Sequence, residues 1–255
     1  MATVLQPPVL DRTSGTAGLN RVIASAFGVR LVSDVHERLS RWGLRPWLDA
    51  KRRERLHRIR ASGLLFIHVP KNAGTSISER LYGAQTKHAT ALYYSRVAPD
   101  VLALPSFAII RNPVERFLSA YRYARTGGTR HRSVSQPFLG RYGSFRSIDD
   151  AIDHLAAARS LFDIDHVFRP QAWYLLDAHG QQAVDRLIPY ERIGEIGRLL
   201  GRPSLDNLPL FNRCDASCER SGELPGRAQL DFLHSFYARD FALRETALKT
   251  GASAL

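Results

Sequence analysis

Two continuous apolar runs constrain this chain more than any other feature. Leu64-Leu65-Phe66-Ile67-His68-Val69 contains one polar residue, and Ser106-Phe107-Ala108-Ile109-Ile110 contains one at its start. Neither run alternates, so neither reads as a strand with one wet face. Short segments apolar on both faces read as strands buried inside a parallel sheet. Leu187-Ile188-Pro189-Tyr190 is a third candidate, weakened by its proline. Helical patterns lie between and around these runs, over residues 75–82, 113–125, 148–158 and 171–177, and residues 229–248 close the chain as an amphipathic helix. Strands alternating with helices predict an α/β domain with a mostly parallel sheet. A chain of 255 residues, 44% hydrophobic, can fold around one large core without a disulfide or metal scaffold.

Upstream of the first run the pattern is helical. Residues 1–18, with Pro7, Pro8, Gly15 and Gly18 and little periodicity, read as mobile. From there Val22, Ile23, Ala26, Phe27, Leu31, Val32, Val35, Leu39 and Trp42 recur at three- and four-residue intervals, until Pro46 interrupts. A short helix over residues 47–60 carries Lys51, Arg52, Arg53, Arg55, Arg58 and Arg60. This run reads either as a solvated helix face or as a site for an acidic polymer or membrane. The expected organisation is a helical extension over residues 1–62 and an α/β domain over residues 63–255.

Lys and Arg number 36 against 24 Asp and Glu, a net charge of +12. That balance attracts anions such as nucleotides, nucleic acid, acidic glycans or membrane surfaces. Almost all the cations are Arg, so Lys51, Lys71, Lys87 and Lys249 each stand out. Two cysteines, Cys214 and Cys218, exclude a disulfide-dense scaffold and a cysteine-based metal centre, and free thiols are expected of them. No basic segment followed by an apolar one opens the chain, and no run nears the ~18 apolar residues of a membrane span. A soluble cytoplasmic protein is the expectation.

The loop after the first run, Pro70-Lys71-Asn72-Ala73-Gly74-Thr75-Ser76, leads into a helix. The first N–H groups of a helix lack internal partners and sit at the positive end of its dipole, which favours an anion there. Gly74 permits close backbone approach, Thr75 and Ser76 supply hydroxyls, and Lys71 supplies a mobile charge. Ser76 and Glu79 have capping-box spacing. The G-x-x-x-x-G-K-[ST] spacing of a nucleotide P-loop is absent, and the lysine precedes the glycine.

The second run ends in Arg111-Asn112-Pro113-Val114-Glu115-Arg116-Phe117-Leu118-Ser119-Ala120-Tyr121. Asn112 suits an N-cap and Pro113 the first helical position. Arg111 then ends the strand at the carboxyl edge of the sheet, where ligands of open α/β sheets bind. It can pair bidentately with a phosphate, and Ser119 can donate to the same anion. Arg116 and Ser119 fall on one helix face. Equally, Arg111 can form a structural pair with Glu115.

Together, HVPKNAGTSI (residues 68–77) and IIRNPVERFLSAY (residues 109–121) resemble the sulfotransferases that use 3′-phosphoadenosine-5′-phosphosulfate, in the carbohydrate-sulfotransferase-like branch with many bacterial members. Lys87-His88-Ala89-Thr90-Ala91, Phe168-Arg169-Pro170-Gln171-Ala172-Trp173-Tyr174-Leu175, Tyr190-Glu191 and Leu208-Pro209-Leu210-Phe211-Asn212 are similar to further family landmarks. The resemblance covers roughly residues 63–245 and implies a P-loop-like three-layer α/β/α fold. It implies that Lys71, Asn72, Ala73, Gly74, Thr75 and Ser76 form the 5′-phosphosulfate loop and that Arg111 and Ser119 hold the 3′-phosphate. One departure is Val114, where bacterial relatives often carry an aromatic.

The chemistry so implied is an in-line transfer from the phosphosulfate donor to an acceptor hydroxyl, most simply of a glycan or glycolipid. Lys71 would stabilise the leaving oxygen, and His88 would take the hydroxyl proton, with His68 and Glu79 as rivals. No metal is expected. An ATP-dependent P-loop kinase and a basic nucleic-acid-binding protein are the alternative readings; the missing P-loop spacing speaks against the first and the scattered arginines against the second. The polar stretch over residues 126–147 reads as a surface loop. Arg125, Arg130, Arg132, Arg141 and Arg146 there, with Phe138, Tyr142 and Phe145, suit an acceptor-binding lid or a plain connection.

Overall fold

A computed structural model describes residues 13–129, 132–206, 208 and 224–252. Cys214, Cys218, Arg130 and residues 209–212 lie outside the described residues. In chain order the elements are α1 (Thr13–Ala26), α2 (Val35–Arg41), α3 (Ala50–Ser62), β1 (Leu65–Phe66), α4 (Gly74–Tyr82), α5 (Ala91–Val97), α6 (Pro99–Leu102) and β2 (Ser106–Ile110). There follow α7 (Pro113–Arg125), β3 (Gly128–Thr129), β4 (Arg132–Ser133), α8 (Gln136–Gly143), α9 (Ile148–Ala156), α10 (Ala172–Leu175), β5 (Arg186–Pro189), α11 (Ile196–Leu200), α12 (Arg227–Phe236) and α13 (Ala238–Ala252).

β1, β2 and β5 form a parallel sheet in the order β1-β2-β5. Phe66 pairs with Phe107, and Ile110 with Pro189. All five residues of β2 are buried. Successive side chains of a strand point to opposite faces, so helices must cover both faces of the sheet. This is the predicted α/β architecture with a parallel core. Pro189 is tolerated because β5 borders the sheet, where a missing ladder donor costs least. The first apolar run pairs over Leu65 and Phe66 and once beyond, where Ile67 N donates to Phe107 O at 3.0 Å. The rest of the run stays buried while the chain turns away.

The helices refine the sequence reading. Residues 13–18, expected to be mobile, already belong to α1. α3 starts later than expected because Asp49 caps it, accepting from Arg52 N at 2.7 Å, and Gly63 ends it at φ 65°. The closing helix is two helices broken at Tyr237, whose buried hydroxyl donates to Phe168 O at 2.7 Å.

Residues 126–147 are not a surface loop. They form a short hairpin and α8, and Val134, Phe138, Tyr142 and Phe145 are buried with Phe117, Tyr121, Ile148, Leu155 and Phe168 in a second core. Phe138 and Tyr142 are four residues apart and share one helix face, while the glycines and arginines around them disguise that face. Those aromatics are core, which removes them from an acceptor lid.

The helices before residue 63 dock through buried charge. Asp34 lies beside Arg169, with Arg169 Nη1 donating to Asp34 Oδ1 at 3.1 Å, and both side chains are fully buried. His166 Nε2 lies 2.9 Å from the same carboxylate. The Arg169 guanidinium and the His166 imidazole hold the Asp34 carboxyl well below the usual carboxylate range, against the opposing effect of burial. Removing one member of such a pair strands the other charge. We expect Asp34→Asn to cost about 3–5 kcal/mol of unfolding free energy. Urea denaturation checks this, and a loss below about 1 kcal/mol would show that the pair is not what docks these helices.

Candidate active site

Both motifs converge at the carboxyl edge of the sheet. After β1 the chain turns through Lys71 at φ 68° and Ala73 at φ 56°, two non-glycine residues in the left-handed region with Asn72 between them. Each costs of order 1–3 kcal/mol, and such strain concentrates where a loop has a task. Alternation of this kind gathers backbone N–H groups into an anion-binding concavity.

Hydrogen bonds hold the strained loop in place. Asn72 is buried, and its Nδ2 donates to Ile109 O at 2.7 Å and to Gln171 Oε1 at 2.7 Å. Gln171 Oε1 also accepts from Arg111 N at 3.0 Å, and Gln171 Nε2 donates to Arg111 O at 2.8 Å. One amide therefore joins the loop after β1 to the end of β2. Gln171 is itself fixed from behind, because Gln171 N and Ala172 N donate to the buried Asp240 carboxylate at 2.7 and 2.8 Å. The Asn72 side chain faces inward, so only its backbone remains for a ligand.

α4 begins at Gly74, two residues before the expected Ser76 cap. Its N-cap is Ala73, which makes no side-chain hydrogen bond, and Glu79 accepts from Gln85 Nε2 at 2.7 Å instead of reaching back. The capping-box expectation therefore fails, and no side-chain cap covers the first turn. Thr75 is half-buried there and Ser76 buried. Gly74 has a reason the sequence did not show: a Cβ at this position would overlap the His68 ring.

Lys71 Nζ lies 4.4 Å from the centre of the Tyr123 ring on α7. The half-buried Arg111 guanidinium stacks 4.6 Å over Tyr190 at the end of β5, and its Nε is 3.5 Å from the exposed Glu115. Asn112 caps α7 as the sequence indicates, accepting from Val114 N at 3.0 Å. Ser119 is half-buried on that helix, and Val114 packs against the second core. Arg116, expected on a face with Ser119, is instead fully buried and donates to Val167 O and Arg169 O at 2.9 and 2.8 Å.

A row of imidazoles lies beside the loop. His68 Nδ1 is 3.1 Å from Thr86 O, and His88 Nδ1 is 3.1 Å from His68 O. A carbonyl can only accept, so the neutral His88 ring carries its proton on Nδ1 and its basic lone pair on Nε2. The His68 and His88 rings meet edge to face at 4.3 Å, and His166 follows at 5.9 Å. His68 is buried and held as a packing histidine is, while His88 is half-buried. Sequence reasoning missed His166, Asp34, Tyr123 and Asp240. Gln171 and Arg169 stood inside a segment it singled out, but without a role.

The segment carrying His88 is anchored from α2. Thr90 caps α5, and its Oγ1 lies 2.9 and 2.8 Å from the two carboxylate oxygens of buried Glu37. Burial pushes the Glu37 carboxyl up to about 6, against the opposing effects of Arg41 and Thr90. Among the described residues, no group of three or more His, Cys, Asp or Glu side chains is placed to hold a metal ion, and no helix is long and apolar enough to cross a membrane.

Two expectations follow. Gly74→Ala should lower the melting temperature and weaken anion binding at the loop, because the His68 ring must move; calorimetry with and without ligand checks both. A folded-state pKa raised from 4.5 to about 6 makes the Glu37 contribution greatest below pH 4.5, and that contribution is lost as pH rises through 6. The loss is about 2 kcal/mol, and Glu37→Gln should flatten that part of the stability profile.

A family model described as the sulfotransferase family matches residues 56–183, half of the chain, spanning β1, β2 and both motif loops. No curated protein and no solved structure matches the chain.

Proposed function

The chain belongs to the sulfotransferase family and is a sulfotransferase; on that premise we propose that it moves the sulfuryl group of 3′-phosphoadenosine-5′-phosphosulfate to a carbohydrate or glycolipid hydroxyl. The backbone of residues 71–76 and the hydroxyls of Thr75 and Ser76 receive the 5′-phosphosulfate. Arg111, stacked on Tyr190, and Ser119 receive the 3′-phosphate. The observation that carries this reading is the Asn72–Gln171–Arg111 hydrogen-bond chain, which joins the loop after β1 to the end of β2 at one sheet edge. A donor with phosphate groups at two ends needs two such fixed points.

The reaction is a displacement at sulfur. The acceptor oxygen forms a bond to sulfur as the bond from sulfur to the bridging oxygen breaks. The acceptor proton goes to His88 Nε2, and adenosine 3′,5′-bisphosphate leaves with the electron pair. The Lys71 ammonium stabilises charge on the departing oxygen. The Nδ1–H bond to His68 O fixes the ring and leaves Nε2 as its basic nitrogen. The reaction so written needs no metal ion.

Adenosine 3′,5′-bisphosphate without magnesium should therefore stabilise the protein against heat, more than ATP with magnesium or an oligonucleotide does. Arg111→Ala should erase about 1.5–3 kcal/mol of its preference over adenosine 5′-monophosphate. His88→Ala should lower turnover by about 10²–10⁴ while bisphosphate binding persists. Titration calorimetry and transfer from radiolabelled donor measure these. Turnover surviving within about tenfold in His88→Ala would remove the residue from the base role.

A further inference from the structure

Both cations assigned to the donor lie over tyrosine rings. Lys71 Nζ is 4.4 Å from the centre of the Tyr123 ring, and the Arg111 guanidinium is 4.6 Å from that of Tyr190. Separations below about 6 Å give an attraction between a cation and the negative face of the ring. The two rings come from different elements. Tyr123 is on α7, four residues after Ser119, so the two share one helix face, and the contact with Lys71 sets that face against the loop after β1. Tyr190 follows β5, and the pairing of Ile110 with Pro189 brings it beside Arg111.

Packing fixes each ring. Tyr123 is half-buried and packs against the second core, and Tyr190 is half-buried and packs against the core around the parallel sheet. The residue after Tyr190, Glu191, accepts from Arg244 Nη2 at 2.6 Å, which ties this turn to α13. Each tyrosine therefore rests on a core and offers its face to a cation. A buried carboxylate in the same place would hold the cation too, but it would cancel the charge, and an arriving anion would have to displace it. A ring face attracts the cation and leaves its net charge in place. Glu115, 3.5 Å from Arg111 Nε, is exposed, and exposed pairs of that kind contribute little.

Lysine and arginine side chains have many rotamers, and ordering them when a ligand arrives costs affinity. A cation already held in place avoids that cost. We propose that Tyr123 and Tyr190 are positioning residues for the donor. The Tyr123 face sets the place from which the Lys71 ammonium meets the 5′-phosphosulfate, and the Tyr190 face sets the plane in which the Arg111 guanidinium meets the 3′-phosphate. This rests on the reading of the loop and Arg111 as the donor site.

The test uses the full chain with Tyr123→Phe or Tyr190→Phe, and with phenylalanines carrying one, two or three ring fluorines at the same positions. Fluorine withdraws charge from the ring face and changes its size little, so a ring that only packs is indifferent to the series. The probes, titrated by calorimetry, are adenosine 3′,5′-bisphosphate and the two monophosphates that each lack one of its ends. At position 123 the preference for the bisphosphate over adenosine 3′-monophosphate should fall with each fluorine, by about three- to tenfold at the third. At position 190 the preference over adenosine 5′-monophosphate should fall over the same range. The unfluorinated Phe variants should keep most of the parent preference, because the face and not the hydroxyl holds the cation. In a Lys71→Met chain the position-123 series should be flat, and in an Arg111→Ala chain the position-190 series should be flat. A flat series with the cation present, or a slope that persists once the cation is removed, would overturn the positioning role. Bisphosphate binding that survives Lys71→Met and Arg111→Ala undiminished would instead overturn the donor reading, and the inference with it.

Discussion

The side-chain amide of Gln171 is the interaction on which the rest depends. It accepts from Asn72 and from the backbone of Arg111, and donates to the Arg111 carbonyl. These three bonds join two loops that are distant in sequence. Its own backbone is tied to Asp240 on α13, near the end of the chain. Burial raises the Asp240 carboxyl above the carboxylate range, while the Arg116 guanidinium and two backbone N–H groups act in the opposite direction. A buried network of this kind is stabilising only when nearly every member is satisfied. The arrangement therefore behaves as a unit: loop, strand end, α10 and α13 are placed together or not at all.

The same clamp explains how the loop tolerates its backbone. Lys71 and Ala73 sit in a conformation that side chains disfavour, so the strain must be offset by contacts outside the loop. The compensation comes from Asn72 between them, whose side chain is anchored to β2. Tight packing of Gly74 against His68 fixes the same turn from the other side. A loop so held keeps its N–H groups in one arrangement, and such preorganisation is the condition for strong electrostatic stabilisation of a charge.

What the sequence made legible was the local chemistry. The strands β1 and β2, the bounds of α7, the Asn112 cap and the loop-then-helix step after β1 all follow from short-range pattern, and the two motifs identified their family. The contacts that position them were illegible because they are long-range. Nothing near Asp34 or Asp240 in the chain marks either as the partner of Arg169 or of the α10 backbone. Ser76 looked like a cap because the capping rule is local, whereas the start of α4 is set by Gly74 against His68. α8 was lost to composition: the glycines, serines and arginines of residues 126–147 suggested a loop, and only the spacing of Phe138 and Tyr142 carried the helix.

The two ends of the site have different origins in the chain. The loop after β1, Arg111 and Gln171 all lie within residues 56–183, the span shared with the family. The far side is built by helices that precede it. Glu37 of α2 holds the segment carrying His88 through Thr90, and Asp34, just before α2, pairs with Arg169 and His166 at the end of the imidazole row. The hydrogen-bond clamp between Asn72, Gln171 and Arg111 can thus stay fixed while the surroundings of His88 are set by which helices are docked beside it. A change in α2 then alters how the segment carrying His88 is held without disturbing the bonds between Asn72, Gln171 and Arg111.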